Sequence, residues 1–195
     1  MSAAIERTAG AWAPRRKLSV EDYHRMAESG IFGPEERVEL IEGEIIDMAP
    51  IGHFHAGLGN RLNRFFTQRL GDRAITCVQN PVVLFPRSEP QPDFALLRFR
   101  DDDYAGALPT PEDVLLLVEI ADKSLRYDHK VKTPLYARHG IPEYWIINVP
   151  KRCVEVHLDP DPAQGRYREI RILSEGLLAP ASFPDISLDI GDFLR

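Results

Sequence analysis

The chain has 195 residues, of which 44% are hydrophobic, and its formal net charge is −6. This length and composition suit one domain with a core large enough to fold alone. No apolar run approaches the ~18 residues that cross a bilayer, and the charged first residues do not form a secretory signal, so we expect a cytoplasmic protein. The negative charge weighs against a broad nucleic-acid surface, because affinity for phosphates comes mainly from Lys and Arg.

Both cysteines lie inside apolar stretches. Cys77 and Cys153 show neither CxxC nor Cys/His spacing, which argues against a disulfide framework and against a zinc site. We therefore predict two buried free thiols.

The first half of the chain predicts two helices around a hairpin. Residues 1–17 read as a loose arm and residues 18–195 as one domain. Ser19 is a candidate N-cap for a helix through Ser29 that ends at Gly30, and Val38–Met48 predicts two short strands joined at Glu42-Gly43. A longer helix is predicted over His53–Leu70, where apolar residues recur at three-to-four spacing before Gly71.

The second half predicts strands with one intervening helix. Val114–Ile120 is continuously apolar, as expected of a central strand that is covered on both faces. Ser124 can cap a helical stretch to His139, so strand, helix and following strand predict a parallel crossover. The remaining predicted segments are a strand over 74–85 broken near Asn80-Pro81, strands over 94–99 and 143–149, a hairpin of 153–158 with 167–173, and a docked tail over 186–194.

Two carboxylates and a lysine form the candidate site. Asp93 follows Pro92, Glu119 lies near the end of the apolar run, and Lys132 follows in the next segment. Carboxylates on neighbouring strands can hold a hard divalent cation, and a nearby ammonium can offset the negative charge that develops on a phosphate. These are the minimal parts of a metal-dependent phosphodiesterase.

Six ordered segments resemble the Uma2 (DUF820) family of endonucleases, which belongs to the PD-(D/E)XK nuclease superfamily. The resemblance runs from about Leu18 to the C-terminus. It implies an α/β (α+β) fold with a restriction-endonuclease-like core, in which helices flank a mixed β-sheet and a divalent metal, Mg²⁺ or Mn²⁺, sits at one edge. The segments are 38–43, Pro50 with His55, 91–93, 118–120, 124–136 and 140–145.

The resemblance assigns roles to individual residues. Asp93 matches the acid of the first half-motif, Glu119 the acid of the second, and Glu39 an upstream acid that completes the metal site. The superfamily pattern wants a lysine two residues after Glu119, where this chain has Ala121. The resemblance therefore implies that the lysine has moved to the next helix, where Lys132 fits, because the role of an ammonium is electrostatic.

Several further residues are candidates for roles around this core. Asp128 would share a helical face with Lys132 and could hold it, but Pro134 leaves a loop as the alternative for both residues. Lys123 and Lys130 compete with Lys132 as the working lysine. His53 and His55 could share a metal on a strand, whereas a helix would give them helix-start or rim roles. His55, Gln91 and Tyr136 fall in family-like segments and are predicted to support the site.

The function predicted from these residues is metal-dependent hydrolysis of phosphodiester bonds in nucleic acid, with DNA favoured. Two alternatives stay open: a catalytically silent binding module with the same fold, and a hydrolase of a small phosphoester. Because such folds often form dimers, the apolar C-terminal hairpin is a candidate homodimer surface. The candidate phosphate-binding residues are Lys123, Arg126 and Lys130 beside the site, with Arg61, Arg64 and Arg69 on the second helix.

Overall fold

The computed structural model describes residues 15–195, which form two compact units. The first unit contains the described residues up to Met48 together with Phe85–Glu89, and the second contains Ala49–Leu84 and Pro90–Arg195. The predicted arm over 1–17 falls largely outside the described residues. No helix within the described range is long and apolar enough to cross a membrane.

The first unit is a capped helix beside a hairpin. Helix α1 (Val20–Glu28) begins with a capping box in which Ser19 and Asp22 each accept a backbone hydrogen bond from the other. Strands β1 (Val38–Ile41) and β2 (Glu44–Asp47) pair antiparallel. Gly43 has φ +79, and a Cβ there would lie 2.7 Å from the Cβ of Lys17. Only glycine fits this turn. The antiparallel pairing of β1 with β2 confirms the predicted hairpin at Glu42-Gly43.

The second unit is built on a six-stranded mixed sheet. Its strands lie in the order β3-β4-β5-β6-β7-β8, and only β5 and β6 are parallel to each other. The predicted central strand and the parallel crossover are therefore confirmed. The strands are β3 (Ala74–Cys77), β4 (Phe94–Arg98), β5 (Val114–Ala121), β6 (Glu143–Asn148), β7 (Cys153–Asp161) and β8 (Arg166–Leu173).

Helices cover both faces of this sheet. Helix α2 (His53–Leu70) has the predicted bounds and packs Phe66 against Phe94 and Trp145 on one face. The other face carries a segment made of α3 (Leu125–Tyr127), a π-helical turn (Asp128–Lys132) and α4 (Thr133–Arg138). Short 3₁₀ turns occupy Gly71–Arg73 and Pro111–Asp113.

The C-terminal residues complete the core beneath α2. Strands β9 (Leu177–Leu178) and β10 (Leu188–Asp189) form a separate pair, and α5 (Ile190–Phe193) follows. Ile186, Leu188, Ile190 and Phe193 are buried in the same cluster as Leu58, Leu62 and Phe66. The predicted docking of the tail is confirmed.

Two local predictions need correction. Only Ala74–Cys77 of the predicted strand over 74–85 pairs with β4, because Pro81 lacks a backbone donor and Gln79 adopts φ 55. Cys153 is buried as predicted, whereas Cys77 is only half-buried.

Candidate functional site

Asp93 is fixed by the main chain of the central strand. It precedes β4, whose first residue Phe94 pairs with Val118 of β5. Residues that flank such a pair on adjacent antiparallel strands are neighbours, so Asp93 lies beside Glu119. The backbone N–H of Ile120 donates to Asp93 Oδ2 at 2.8 Å. The sheet register therefore places the two predicted acids at adjacent positions on neighbouring strands.

His55 holds Asp93 from helix α2. Its Nε2 donates to Asp93 Oδ2 at 2.9 Å, and Gln79 Nε2 lies 3.4 Å from Oδ1. The hydrogen bond to Asp93 raises the pKa of His55 and outweighs the opposing effect of burial. His53 is exposed at the first position of the helix. The helical interpretation is thus correct, and a strand that presents both histidines to one metal is excluded.

Glu119 contacts two side chains of the helical segment that covers the sheet face opposite α2. It is only 7% exposed on β5, and the Tyr136 hydroxyl donates to its Oε1 at 2.7 Å. The Lys132 ammonium lies 3.4 Å from the same oxygen. A buried carboxylate is costly unless it is hydrogen-bonded and paired, and these two contacts supply both conditions. Lys132 therefore reaches the space in front of Glu119, as the resemblance implied.

The π-helical turn explains how Lys132 arrives there. The Thr133 N–H bonds the carbonyl of Asp128, five residues back, and the Thr133 hydroxyl donates to the same carbonyl at 2.9 Å. Pro134 has no N–H, so it cannot bond the Lys130 carbonyl as an α-helix requires. The predicted helical stretch from Ser124 to His139 is therefore confirmed over Leu125–Arg138, with a π-helical turn inside it, and the loop alternative is wrong. Single π-helical turns inside α-helices are frequent at functional sites.

The three candidate lysines differ in environment. Lys132 is 4% exposed, whereas Lys123 and Lys130 are exposed to solvent.

Asp128 is buried and accepts a 2.7 Å hydrogen bond from the Ser124 hydroxyl. Ser124 thus bonds Asp128 through its side chain rather than capping the helix, since no cap bond from its side chain is present.

A second hydrogen-bonded cluster beside this site was not predicted. His129 Nε2 contacts Glu155 Oε2 at 2.7 Å, and Asn148 Nδ2 donates to Glu155 Oε1 at 2.8 Å. Burial alone would raise the pKa of Glu155, but the hydrogen bonds from Asn148 and His129 outweigh it and lower that pKa. The sequence signal was Glu155 and His157 in an otherwise apolar strand, where isolated polar groups need partners.

Two neighbouring aromatic residues carry buried polar atoms. Within residues 15–195, the Tyr144 hydroxyl and both ring nitrogens of His157 have no hydrogen-bond partner. The two ring centroids lie 5.5 Å apart, and Tyr144 also packs edge-on against Tyr136 at 4.9 Å. Burial raises the pKa of Tyr144 and lowers the pKa of His157 to about 4. Both residues are therefore neutral at pH 7.

The donor set suits a hard divalent cation held by two carboxylates. Within the described residues, no group of three or more His, Cys, Asp or Glu side chains is placed to hold a metal ion. Mg²⁺ is commonly held by one or two carboxylates, with water and substrate phosphate oxygens as its other ligands. Asp93 and Glu119 fit this pattern. Glu39 is 4% exposed on β1 of the first unit, and its role as a ligand stays a prediction.

The remaining predicted residues have different accessibilities. Gln91 is half-buried two residues before Asp93, and Arg126 is exposed on α3. Arg64 and Arg69 are exposed on α2, with the Arg69 guanidinium 4.0 Å from the Phe65 ring centroid. Arg61 instead donates to the carbonyls of Phe193 and Arg195 at 2.8 and 2.6 Å, so its guanidinium is largely committed to the C-terminus.

A solved structure shares this fold. It is described as a "putative nuclease belonging to DUF820" from Anabaena variabilis ATCC 29413 and superposes with a TM-score of 0.73 at 16% identity, covering 91% of this chain and 97% of that chain. The class is therefore a mixed α/β fold in which helices flank a six-stranded sheet. The chain belongs to the Uma2 family, described as "Putative restriction endonuclease", whose profile matches residues 20–191. No curated protein matches it. The predicted family and fold class are confirmed.

Proposed function

We propose that this protein is a metal-dependent nuclease that hydrolyses phosphodiester bonds, with DNA as the favoured substrate. The observation that carries the proposal is the position of the Lys132 ammonium, 3.4 Å from Glu119 Oε1, beside an acid on the adjacent strand. Two acids with one cation match the charge demands of phosphoryl transfer, in which negative charge grows on the phosphoryl oxygens. Membership of a family of restriction endonucleases supports the same reaction class.

Asp93 and Glu119 are the residues that would hold the ion. A divalent cation bound there would lower the pKa of a bound water and polarise a phosphoryl oxygen. The chain fixes Asp93 through the Ile120 amide and His55. It fixes Glu119 through Tyr136. Both carboxylates are therefore held in place before an ion or a substrate arrives.

Lys132 supplies the positive charge that the transition state needs. Its ammonium is buried against Glu119, where charge interactions are screened less than in water. Lys123 and Lys130 are exposed, so their charges are better suited to contacts with distant phosphates. This difference in burial favours Lys132 as the working lysine.

The proposed nucleic-acid surface is local. Lys123, Arg126 and Lys130 are exposed along the segment that carries Lys132, whereas the whole chain has a net charge of −6. Few phosphates can therefore be contacted at once. We expect weak, metal-assisted binding in which about two to four counterions are released, giving a shallow dependence of log affinity on log salt.

The metal assignment is tested by thermal unfolding. Adding Mg²⁺ or Mn²⁺ should raise the Tm of the wild-type chain, because a ligand that binds only the native state stabilises it by mass action. Asp93→Asn and Glu119→Gln should each abolish this rise while the fold is retained. If both variants keep the full metal-induced rise, Asp93 and Glu119 are not the ligands.

The lysine assignment is tested by kinetics. Lys132→Ala should lower kcat by about 10²–10³-fold, the loss expected when one preorganised charge-stabilising group is removed. The metal-induced rise in Tm should persist. Lys123→Ala and Lys130→Ala are matched controls on the same segment and should weaken binding without a comparable loss of kcat. A large kcat loss in either control would move the role away from Lys132.

The substrate class is tested with three compounds in parallel. Plasmid DNA, RNA and a chromogenic phosphodiester should be incubated with the purified chain and Mn²⁺ at low salt. Cleavage of plasmid is the expected result. Turnover of only the chromogenic ester would favour the small-phosphoester hydrolase, and binding without cleavage would favour the silent module.

Arg126→Glu combined with Lys130→Glu should reduce DNA binding and cleavage while sparing the metal-induced rise in Tm.

A further inference from the structure

The π-helical turn Asp128–Lys132 contacts the sheet at two points. Lys132 lies against Glu119 of β5, and three residues earlier His129 lies against Glu155 of β7. Glu119 is paired with Ile146 of β6, and Ile146 is paired with Glu155. Residues paired in this way form one row on one face of a sheet. The same turn therefore binds two buried carboxylates at opposite ends of a three-strand row.

At the second contact point, Glu155 is held by a buried residue of the neighbouring strand β6, Asn148. Glu155 and Asn148 are 7% and 0% exposed, and the Asn148 amide donates to Glu155 Oε1 at 2.8 Å. Asn148 is itself held, because its Oδ1 accepts the backbone N–H of Lys151 at 3.1 Å. Each oxygen of Glu155 thus has a partner, with His129 on Oε2. A fully satisfied buried network of this kind is rigid.

The π turn needs such an anchor. Its wider hydrogen-bonding ring is rare and is kept only where the surroundings over-determine it. If the turn relaxed to α-helical geometry, successive side chains would be redistributed around the helix axis, and Lys132 would leave Glu119. The Lys132–Glu119 contact alone is a single ion pair at 3.4 Å. His129 supplies the second hold on the same turn.

We propose that His129, Glu155 and Asn148 are positioning residues that keep the π turn in register and thereby keep Lys132 on Glu119. His129 is more exposed than its partner, with 41% of its side chain accessible against 10% for Glu155. The contact nevertheless sets the turn because the buried side of the pair is fixed by Asn148. The proposal rests on the proposed nuclease function for its kinetic consequence but not for its structural one.

The experiment compares variants within the turn. His129→Ala removes the contact, His129→Gln keeps a side-chain donor for Glu155, and Lys130→Ala, at an exposed residue of the same turn, is the control for hydrogen exchange alone. We expect His129→Ala to lower kcat at least about tenfold with KM changed by less than about twofold, since the lost interaction acts on the transition state. His129→Gln should recover much of this loss, and Arg138→Ala, at an exposed residue of α4, should not reproduce it.

A readout without substrate separates the two proposals. Amide hydrogen exchange at residues 129–133 should speed up in His129→Ala and Glu155→Ala but not in Lys130→Ala, while the metal-induced rise in Tm is retained. If the wild-type chain cuts nothing, the nuclease function fails and the exchange result still decides the role of His129. Unchanged exchange at the turn in both variants, or unchanged kcat in His129→Ala, would overturn the positioning role.

Discussion

At the scale of single residues, Tyr136 links the stability of the fold to the geometry of the candidate site. Its hydroxyl is buried and donates to Glu119 Oε1 at 2.7 Å. Tyr136→Phe should lower the free energy of unfolding by about 1–3 kcal/mol, the usual cost of removing a hydrogen bond to a charged group. The variant should also lower kcat, because Glu119 loses the hydroxyl donor of Tyr136 and keeps only the contact with Lys132 at this oxygen.

Tyr167→Phe is the matched control for that experiment. The Tyr167 hydroxyl is also buried and donates to the Ile141 carbonyl at 3.1 Å. Urea denaturation should show a loss of stability in both variants, whereas activity should fall only in Tyr136→Phe. Equal activity in the two variants would mean that Tyr136 supports the core rather than the acid.

His157 gives a prediction on pH. Burial lowers its pKa to about 4 from an ordinary value of 6.5. The folded chain therefore resists protonation more than the unfolded chain does, and stability present above pH 6.5 is lost as pH falls toward 4. From pH 7 to 4.5 this one group should cost about 2 kcal/mol of unfolding free energy.

His157→Phe should remove that pH-dependent loss. The ring packs between Tyr144 and Tyr167, with centroids 5.5 and 5.6 Å away, so another aromatic ring preserves most contacts. Urea denaturation at the two pH values provides the measurement. The difference between pH 7 and 4.5 should shrink in His157→Phe and stay as in the wild type in Tyr167→Phe, a variant of a ring that packs against His157.

At the scale of elements, local signals predicted most of the architecture. Helix α2 has the predicted bounds because its apolar spacing ends at Gly71, and the capping box at Ser19 is readable in the sequence. The prediction over 74–85, with its break near Asn80-Pro81, placed the break too late and expected a strand after it, because pairing with β4 ends at Cys77. Apolar composition alone does not show where a strand loses its neighbour.

The site was only partly predictable for the same reason. Asp93, Glu119 and Lys132 could be predicted as candidates from the family-like segments, whereas the π turn depends on Pro134 together with two buried carboxylates that docking brings beneath it. The contact between His129 and Glu155 spans 26 positions. No local spacing rule reports such a pair, so the residues that hold the lysine could be seen only in the fold.

Arg61 provides a prediction about helix α2. Its guanidinium donates to two C-terminal carbonyls, so Arg61→Ala should lower the free energy of unfolding by about 1–2 kcal/mol. Amide exchange at residues 190–195 should become faster. Arg64 is exposed and lies about one turn after Arg61 on the same helix. Arg64→Ala should leave the free energy of unfolding unchanged. An equal loss of stability in Arg64→Ala would show that the effect is one of helix charge.

At the scale of the whole molecule, we propose strand β8 of the C-terminal hairpin as the surface for the predicted homodimer. It is an end strand of the sheet among the described residues, and Ile170 and Ile172 are 55% and 67% exposed. A two-fold axis at Ile170 would pair the strand antiparallel with a second copy and set Glu169 opposite Arg171. Opposite charges facing each other across strands are stabilising.

Mixing charge variants tests this arrangement. Glu169→Arg and Arg171→Glu should each be monomeric alone, because like charges then face each other across the two copies. An equimolar mixture of the two variants should form heterodimers, measured by sedimentation velocity or native mass spectrometry. A wild-type chain that stays monomeric at all concentrations, or a mixture that never associates, would contradict the pairing. Ile31→Lys, at an isoleucine 59% exposed in the first unit, is the control for a charge added outside β8 and should leave the association unchanged.

The clamping of the acids by different helices has a consequence for the chain during its synthesis. Asp93 is held by His55 from α2, and Glu119 by Lys132 and Tyr136 from the segment after β5. These contacts form only when elements far apart in sequence have docked on the sheet. A chain emerging from the ribosome, or one cut before residue 132, cannot assemble the constellation. The proposed cutting activity would therefore appear only with the finished fold, which would protect a cell's nucleic acid from unfinished copies of the protein.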